Sequence, residues 1–288
     1  MSKMFDILAT KQGNVSRLVQ QLVAEPGKAV WEPAQPLREP VEPVAASLTE
    51  TARRRKLHLS SDAPVFPFNP ANSRVAEQYR IARTKIIHDP RRPRMIVVSS
   101  AAQEDGKTIT SINLAGVLAL KPELNVILVE ADLHRSHIAG MLGIPATPGL
   151  SDVLSGEVQL EDALVKVEQC PNLFVLPGGS SHASATELLD SPLWRNLCET
   201  LRREFSYVVL DSPPMDVLAD FELLQTVADG VVFVIRPDYT NRADCQKALG
   251  ALEARSLLGV ILNASEDWCL YRAGHSNYYG YYGQTKSQ

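Results

Sequence analysis

Residues 94–121 read RMIVVSSAAQEDGKTITSINLAGVLALK, and this stretch decides the fold. Its first seven residues are a short β-rich run, and the segment from Thr108 onward carries Ile109, Ile112, Ala115 and Leu118 on one helical face. Between them lies Ser100-Ala101-Ala102-Gln103-Glu104-Asp105-Gly106-Lys107-Thr108. A strand handing over to a helix through a loop that ends Gly-Lys-Thr is the setting a P-loop requires. Backbone N–H groups of the loop and helix N-terminus cradle phosphates, the lysine bridges outer phosphate oxygens, and the hydroxyl ligates Mg²⁺. Gln103, Glu104, Asp105, Gly106, Lys107, Thr108 and Ile109 are therefore the candidate ATP-binding set. Ala101 stands where the common G-x-x-x-x-G-K-[ST] pattern begins with glycine, so the motif is met only in its second half. The plain alternative is a surface turn that happens to contain Gly-Lys-Thr.

Outward from this loop the strand pattern recurs in NVILVEAD (125–132), NLFVLPGG (172–179), YVVLDSPP (207–214), GVVFVIRP (230–237) and LLGVILNAS (257–265). Continuous rather than alternating apolarity marks strands buried on both faces, with helical stretches between most of them. The expected fold is α/β: a doubly wound, mostly parallel sheet with helices on both faces. Ligands in such sheets bind at the carboxyl ends of the strands, where this sequence places its polar residues. Asp211 ends one apolar strand, where a carboxylate can hold Mg²⁺ directly or through water; capping of the next turn is the alternative. Glu130 and Asp132 end another, two residues apart and so on one side of an extended chain. Carboxylates crowded beside a phosphate repel each other and ATP unless a cation sits among them, which implies Mg²⁺ on electrostatic grounds as well.

The 288 residues suffice for a buried core, and 45% apolar with 22% charged residues is a globular composition. A net charge of −4 gives the molecule no overall field for nucleic acid, so none is expected as a partner. No apolar run reaches the ~18 residues of a membrane helix and the start shows no signal peptide, so the chain reads as cytoplasmic. Cys170, Cys198, Cys245 and Cys269 are widely spaced, without a C-x-x-C pair, and are expected to be reduced and mostly buried. Residues 1–71, punctuated by prolines from Pro26 to Pro70, read as a tether. Within it Val15, Leu18, Val19, Leu22 and Val23 form a short apolar stripe at helical spacing. Arg53-Arg54-Arg55-Lys56 reads either as a contact for acidic lipid or a partner, or as a solvated linker cluster. Residues 72–268 would form the nucleotide domain and 269–288 a flexible tail.

From about residue 72 onward the chain resembles the bacterial tyrosine kinases of capsule and exopolysaccharide synthesis, a deviant-Walker, MinD/ParA-like branch of the P-loop ATPases. The resemblance rests on Asp105-Gly106-Lys107-Thr108 with Asn113-Leu114-Ala115 behind it, and on Glu130-Ala131-Asp132-Leu133-His134 at the place of the D-x-D-x-R Walker A′ motif. Asp211-Ser212-Pro213-Pro214 matches Walker B in full; G-L-S-D-V-L-S-G (149–156), E-L-L-x-S (187–191) and A-D-G (228–230) also agree. It implies catalytic roles for Lys107, Glu130, Asp132 and Asp211, Mg²⁺ held by Thr108, Asp132 and Asp211, and an adenine contact from Asn263. It further implies ring assembly through Glu77, Arg80 and Arg83, an E-x-x-R-x-x-R whose plain alternative is surface pairing within its own helix. Tyr271, Tyr278, Tyr279, Tyr281 and Tyr282 in the tail would be phosphorylated in trans.

The implied partners are further copies of the chain, a membrane chain-length-determinant protein (the polysaccharide co-polymerase) that would draw it to the inner face of the membrane, and a tyrosine phosphatase. Three departures stand out: Glu130 for an aspartate, His134 for an arginine, and Gln103-Glu104 for Pro-Gly, which brings a negative charge near the phosphates. Two other readings are a MinD/ParA-like ATPase switch and a weakly active or non-catalytic nucleotide-binding regulator of polysaccharide export.

Overall fold

Alternate residues of β2 (Met95–Ser100) belong to different apolar layers: Ile96 and Val98 pack in one, Met95 and Val97 in the other, all fully buried. A strand buried on both faces needs helices on both, and the computed structural model, which describes residues 48–59, 73–180, 185–215, 219–253 and 256–264, has them. Eight strands make one sheet: β1 (Arg53–Arg55), β2, β3 (Val126–Glu130), β4 (Val165–Val167), β5 (Leu173–Leu176), β6 (Tyr207–Asp211), β7 (Gly230–Ile235) and β8 (Leu257–Leu262), in the order β1-β4-β5-β3-β6-β2-β7-β8. The described helices are α1 (Leu48–Thr51), α2 (Ser73–Ile87), α3 (Lys107–Ala119), α4 (Ile138–Leu142), α5 (Leu150–Leu154), α6 (Leu160–Ala163), α7 (Ala185–Asp190), α8 (Pro192–Glu204), α9 (Asp220–Val227) and α10 (Arg242–Ala251). Each buried valine, leucine or isoleucine contributes about 1.5–3 kcal/mol by leaving water, so the sheet interior dominates stability.

The pairing explains where a site must form. From β2 the chain passes through α3 to β3 on one side, and from β6 it crosses to β7 on the other; β6 itself lies between β3 and β2. The turns after β2, β3 and β6 therefore meet at one end of the sheet, at a topological switch point. Asp211 stands opposite Glu130 across one ladder and opposite Val98 across the next. At the far end, Asp229 accepts N–H bonds from Arg94 (2.8 Å) and Met95 (2.7 Å) and pairs with Arg202 at 2.8 Å, pinning the start of β2 to α8.

Two strands differ from the sequence reading. β1 and β4 run parallel to one another and antiparallel to the rest at the β5 edge, where β4 pairs antiparallel with β5. Both have only three residues, and β1 is wholly exposed Arg-Arg-Arg, so neither carries the apolar run that reveals a buried strand. Residues 48–59, assigned above to the tether, thus join the sheet, with Leu48, Ala52 and Leu57 in its core layers. The stripe at 15–23 and the tail tyrosines lie outside the described residues. Cys170, Cys198 and Cys245 are buried free thiols, and burial pushes Cys198 up to about 12 and Cys245 up to about 11. Among the described residues no helix is long and apolar enough to cross a membrane.

Candidate functional site

The loop between β2 and α3 is held by its own side chains. Gly106 occupies the N-cap of α3 at φ 91°, and a Cβ there would stand 1.9 Å from Asn263 Nδ2, so both backbone and space demand glycine. Asn263 Nδ2 donates to the Asp105 carbonyl at 3.0 Å, which makes Asn263 a brace of the loop. Asp105 is fully buried, accepting the Ala102 N–H at 3.1 Å and the Thr240 hydroxyl. No side chain caps α3, so the first N–H groups of the helix carry their partial positive charge toward whatever lies above them. Lys107, at the first helical position, is 8% exposed.

Glu104 adopts φ 63° in the position where the resembled family has glycine. Its carboxylate is turned onto the Tyr239 hydroxyl at 3.0 Å, while Arg236 reaches the Glu104 carbonyl at 3.4 Å and covers the Tyr239 ring at 4.6 Å. The charge expected to oppose phosphate is thereby engaged at the rim. Gln103 accepts from Arg135 at 2.6 Å, joining the loop to the segment after β3.

The three carboxylates play different structural parts. Asp211 is 1% exposed and accepts hydroxyl bonds from Ser111, at 2.9 Å, and Thr108. Burial raises its pKa to about 7, the charge of Glu130 adds to the rise, and Thr108, Ser111 and Lys107 oppose it. Such a group is half-charged near neutrality and takes a cation readily. Asp132, at the cleft wall, is raised by burial against the Arg135 N–H (3.1 Å) and the Lys107 charge. Glu130 is raised by burial as well, but its oxygens are occupied: one accepts the N–H groups of His137 and Ile138 (2.7 Å), the other that of Gly178 (2.8 Å).

Glu130 thus fastens the start of α4 to the loop after β5, and the extra methylene that set it apart from aspartate is what lets one carboxylate reach three amides. Glu130→Asp is accordingly expected to lower stability by about 1–3 kcal/mol, a fall of roughly 3–10 °C in Tm by calorimetry, with no gain in turnover. An unchanged Tm with faster turnover would show that the acid serves the substrate instead.

Lys107, Thr108, Ile109 and the Pro213-Pro214 turn bound a cleft of about 320 Å³, closed on its other wall by Asp132, His134, Arg135, His137 and Met141. That volume suits a small ligand. His134 Nε2 lies 3.0 Å from Asp220 Oδ2; Asp220 is fully buried and accepts the Thr186 hydroxyl at 2.6 Å. Among the described residues no group of three or more His, Cys, Asp or Glu is placed so that it could hold a metal ion by itself. The donor set at Thr108 and Asp211, one hydroxyl and one carboxylate, fits Mg²⁺, which takes few protein oxygens and completes its shell with phosphate and water.

Outside the cleft, Glu77 and Arg80 pair with each other along α2 at 3.0 Å, and Arg83 donates to the Val117 carbonyl at 3.0 Å, clamping α2 onto α3. The site also uses residues the sequence did not announce. Ser111 is one helical turn beyond Lys107 and shares its side of α3, a spacing that marks it in the sequence; Tyr239 and Thr240, on the turn after β7, and Asp220, at the start of α9, are brought near only by the fold.

Residues 94–250 match the family described as AAA domain. The tyrosine-protein kinase YwqD of Bacillus subtilis (strain 168) is 34% identical over 212 residues, 72% of this chain and 86% of that protein. The succinoglycan biosynthesis transport protein ExoP of Rhizobium meliloti (strain 1021) is 34% identical over 178 residues, 60% of this chain but 22% of the longer relative. Among solved structures, the VpsO kinase domain superposes with a TM-score of 0.61 at 30% identity, covering 66% of this chain and 94% of that one. The matched residues 94–250 include the loop after β2 and the carboxylates that end β3 and β6, and with these relatives the chain belongs to the bacterial tyrosine kinases of the MinD/ParA-like P-loop branch.

Proposed function

We propose that the chain transfers the γ-phosphoryl group of ATP to tyrosines of its own tail in trans and so regulates the polymerisation and export of a surface polysaccharide. The observation that carries this reading is the convergence of Lys107, Thr108 and Asp132 on one cleft at the switch point of the sheet, with Asp211 buried beneath it and bonded to the Thr108 hydroxyl. Mg²⁺, when bound, supplies divalent charge against the phosphates. Thr108 and Asp211 would hold it, with Asp132 at the opposite wall, while Lys107 and the uncapped start of α3 neutralise phosphate oxygens. Asp132, raised by burial, is the group suited to take the phenolic proton as the tyrosine oxygen bonds to phosphorus and ADP departs. Glu130, with its oxygens filled by backbone N–H groups, supports that wall from behind. Asn263 adds to its bracing role an edge for the adenine.

The name of ExoP joins such a domain to polysaccharide transport, which supports a membrane co-polymerase as partner and the inner membrane face as the place of action. In a ring of copies, Arg80 would exchange Glu77 of its own helix for a neighbour's, while Arg83 keeps its clamp on Val117. A tyrosine phosphatase would restore the starting state. The second reading, a MinD/ParA-like ATPase switch, draws on the AAA domain match and predicts turnover without phosphotyrosine. Changing Tyr271, Tyr278, Tyr279, Tyr281 and Tyr282 together to Phe separates the two. Phosphotyrosine detected by mass spectrometry should disappear while ATP affinity stays within about twofold, since the rings remain and only hydroxyls are lost. Undiminished phosphotyrosine would place the acceptors elsewhere, and none in the native chain would favour the switch.

A further inference from the structure

A second cleft, of about 390 Å³, opens at the outer edge of the sheet between the β1 segment and the turn Gly143-Ile144-Pro145. Arg54, Arg55, Lys56 and His58 line it, all exposed, against one carboxylate, Glu168. Among the described residues Arg53 is paired with Asp162 at 3.0 Å, whereas Arg54, Arg55 and Lys56 have no carboxylate partner. A row of arginines on an edge strand also discourages pairing with another sheet, but that role needs only charge. Here the backbone beneath the charges is fastened at successive points. Arg55 O accepts the Glu168 N–H at 2.9 Å, and the Gln169 carboxamide bonds both the N–H and the carbonyl of Leu57 at 3.0 Å each. His58 N–H donates to Leu142 O at 3.1 Å, and the chain passes so close that a Cβ on Gly143 (φ 63°) would stand 2.7 Å from His58 O. With the backbone around the concavity already fixed, a docking ligand has only the side chains of these cations to order.

The neighbour that takes the His58 N–H is the last residue of α4. This five-residue helix starts on the Glu130 carboxylate, carries Met141 in the wall of the nucleotide cleft with His137 just before it, and ends under the basic cleft. One short rigid piece therefore touches both cavities. We propose that the basic cleft binds a phosphate-bearing anion and that its occupancy is felt at the nucleotide cleft through α4; the second half rests on the nucleotide reading given above. Guanidinium forks suit phosphate oxygens, and lysine and imidazole add donors without a fixed direction.

The test uses the full chain with inorganic pyrophosphate as probe, read by the imidazole NMR signals of His58, assigned with His58→Gln. Pyrophosphate should shift them in the native chain and in Lys107→Met, where the nucleotide site is impaired. In Arg54→Ser/Arg55→Ser its affinity should fall roughly tenfold or more. Calorimetry should show pyrophosphate changing ATP affinity by factors that differ severalfold between the native chain and the double variant, direct competition at the nucleotide site being common to both. Binding to phosphatidylglycerol but not phosphatidylcholine vesicles, lost with the same arginines, assigns the phosphate to a lipid head group; pyrophosphate binding without vesicle binding assigns it to a soluble ligand. Unmoved His58 signals, or equal affinity in the double variant, overturn the site and leave the arginines as edge protection. A working site with ATP affinity indifferent to it overturns the coupling alone. Failure of ATP to bind the native chain at all would instead count against the nucleotide reading.

Discussion

Lys107→Met is expected to reduce Mg²⁺-dependent ATP turnover by at least about 10²- to 10³-fold, the scale on which enzymes lose activity when one fixed electrostatic contact to a developing charge is removed. The residue is 8% exposed, opens α3, and faces a cleft that contains Asp132, so its ammonium is held where an outer phosphate must lie. Methionine keeps nearly the length and the apolar stem, and so the helix start should persist. The cost to the fold is small because the carboxylates that feel Lys107 also feel burial: with its pKa near 7, Asp211 can shed charge by taking up a proton. A coupled ATPase assay beside a thermal scan checks both halves. Loss of turnover with Tm within a few degrees is the expected pair, and unchanged turnover would remove Lys107 from the site.

Asp211→Asn carries the other large effect, in two directions at once. Turnover should fall as far as in Lys107→Met, because the amide cannot hold Mg²⁺ as a carboxylate does. Stability should rise at pH 8. The folded pKa of Asp211, about 7, lies above the ordinary carboxylate value, so between the two the folded chain holds a proton that the unfolded chain has released. Native stability therefore declines as pH rises from about 4 to about 7, by an amount on the order of a few kcal/mol, and stays at its reduced level above. Asparagine has no such charge to bury, and its oxygen still accepts from Ser111. Without nucleotide, the variant should melt several degrees above the native chain at pH 8, and the gap should narrow toward pH 5. Mg²⁺ with ATP should raise the Tm of the native chain and not of the variant. A variant less stable than the native chain at pH 8 would show that the carboxylate is not strained by its burial. Sites of this kind hold function at the expense of stability, which is why a buried acid persists at the end of β6.

The central strands were legible because burial on both faces leaves an unbroken apolar run, as in VILVE of β3 and YVVLD of β6. Their polar ends were legible for the same reason: Asp211, Glu130 and Lys107 interrupt sequence that is otherwise core. What escaped lay where the signal is weak or depends on contacts distant in sequence. β1 is three exposed arginines tied down by pairing with β4 and by contacts such as Arg53–Asp162 and Gln169–Leu57, each spanning more than a hundred residues. The departures from the family pattern also needed the fold to be understood. Glu104 sits where glycine was usual and pays for φ 63° with the Tyr239 contact; Glu130 is longer than aspartate and uses its length on three amides. His134 takes the arginine position and lies 3.0 Å from Asp220, a carboxylate 86 positions away in the chain that no local pattern links to it. Arg83, for which the resemblance implies an interface role, donates to the Val117 carbonyl of its own chain, a contact that its sequence neighbours do not reveal.

Transfer in trans is the central claim, and complementation tests it most directly. One full-length chain carries Lys107→Met with its tail intact; a second carries the five tail tyrosines as Phe with its site intact. Neither alone should acquire phosphotyrosine on incubation with Mg²⁺ and ATP, together with the cytoplasmic segment of the membrane partner. Mixed, they should yield phosphotyrosine on the tail of the Lys107→Met chain, identified by mass spectrometry of its C-terminal peptide. A mixture as unmodified as its components, while the native chain is modified under the same conditions, would contradict transfer between copies.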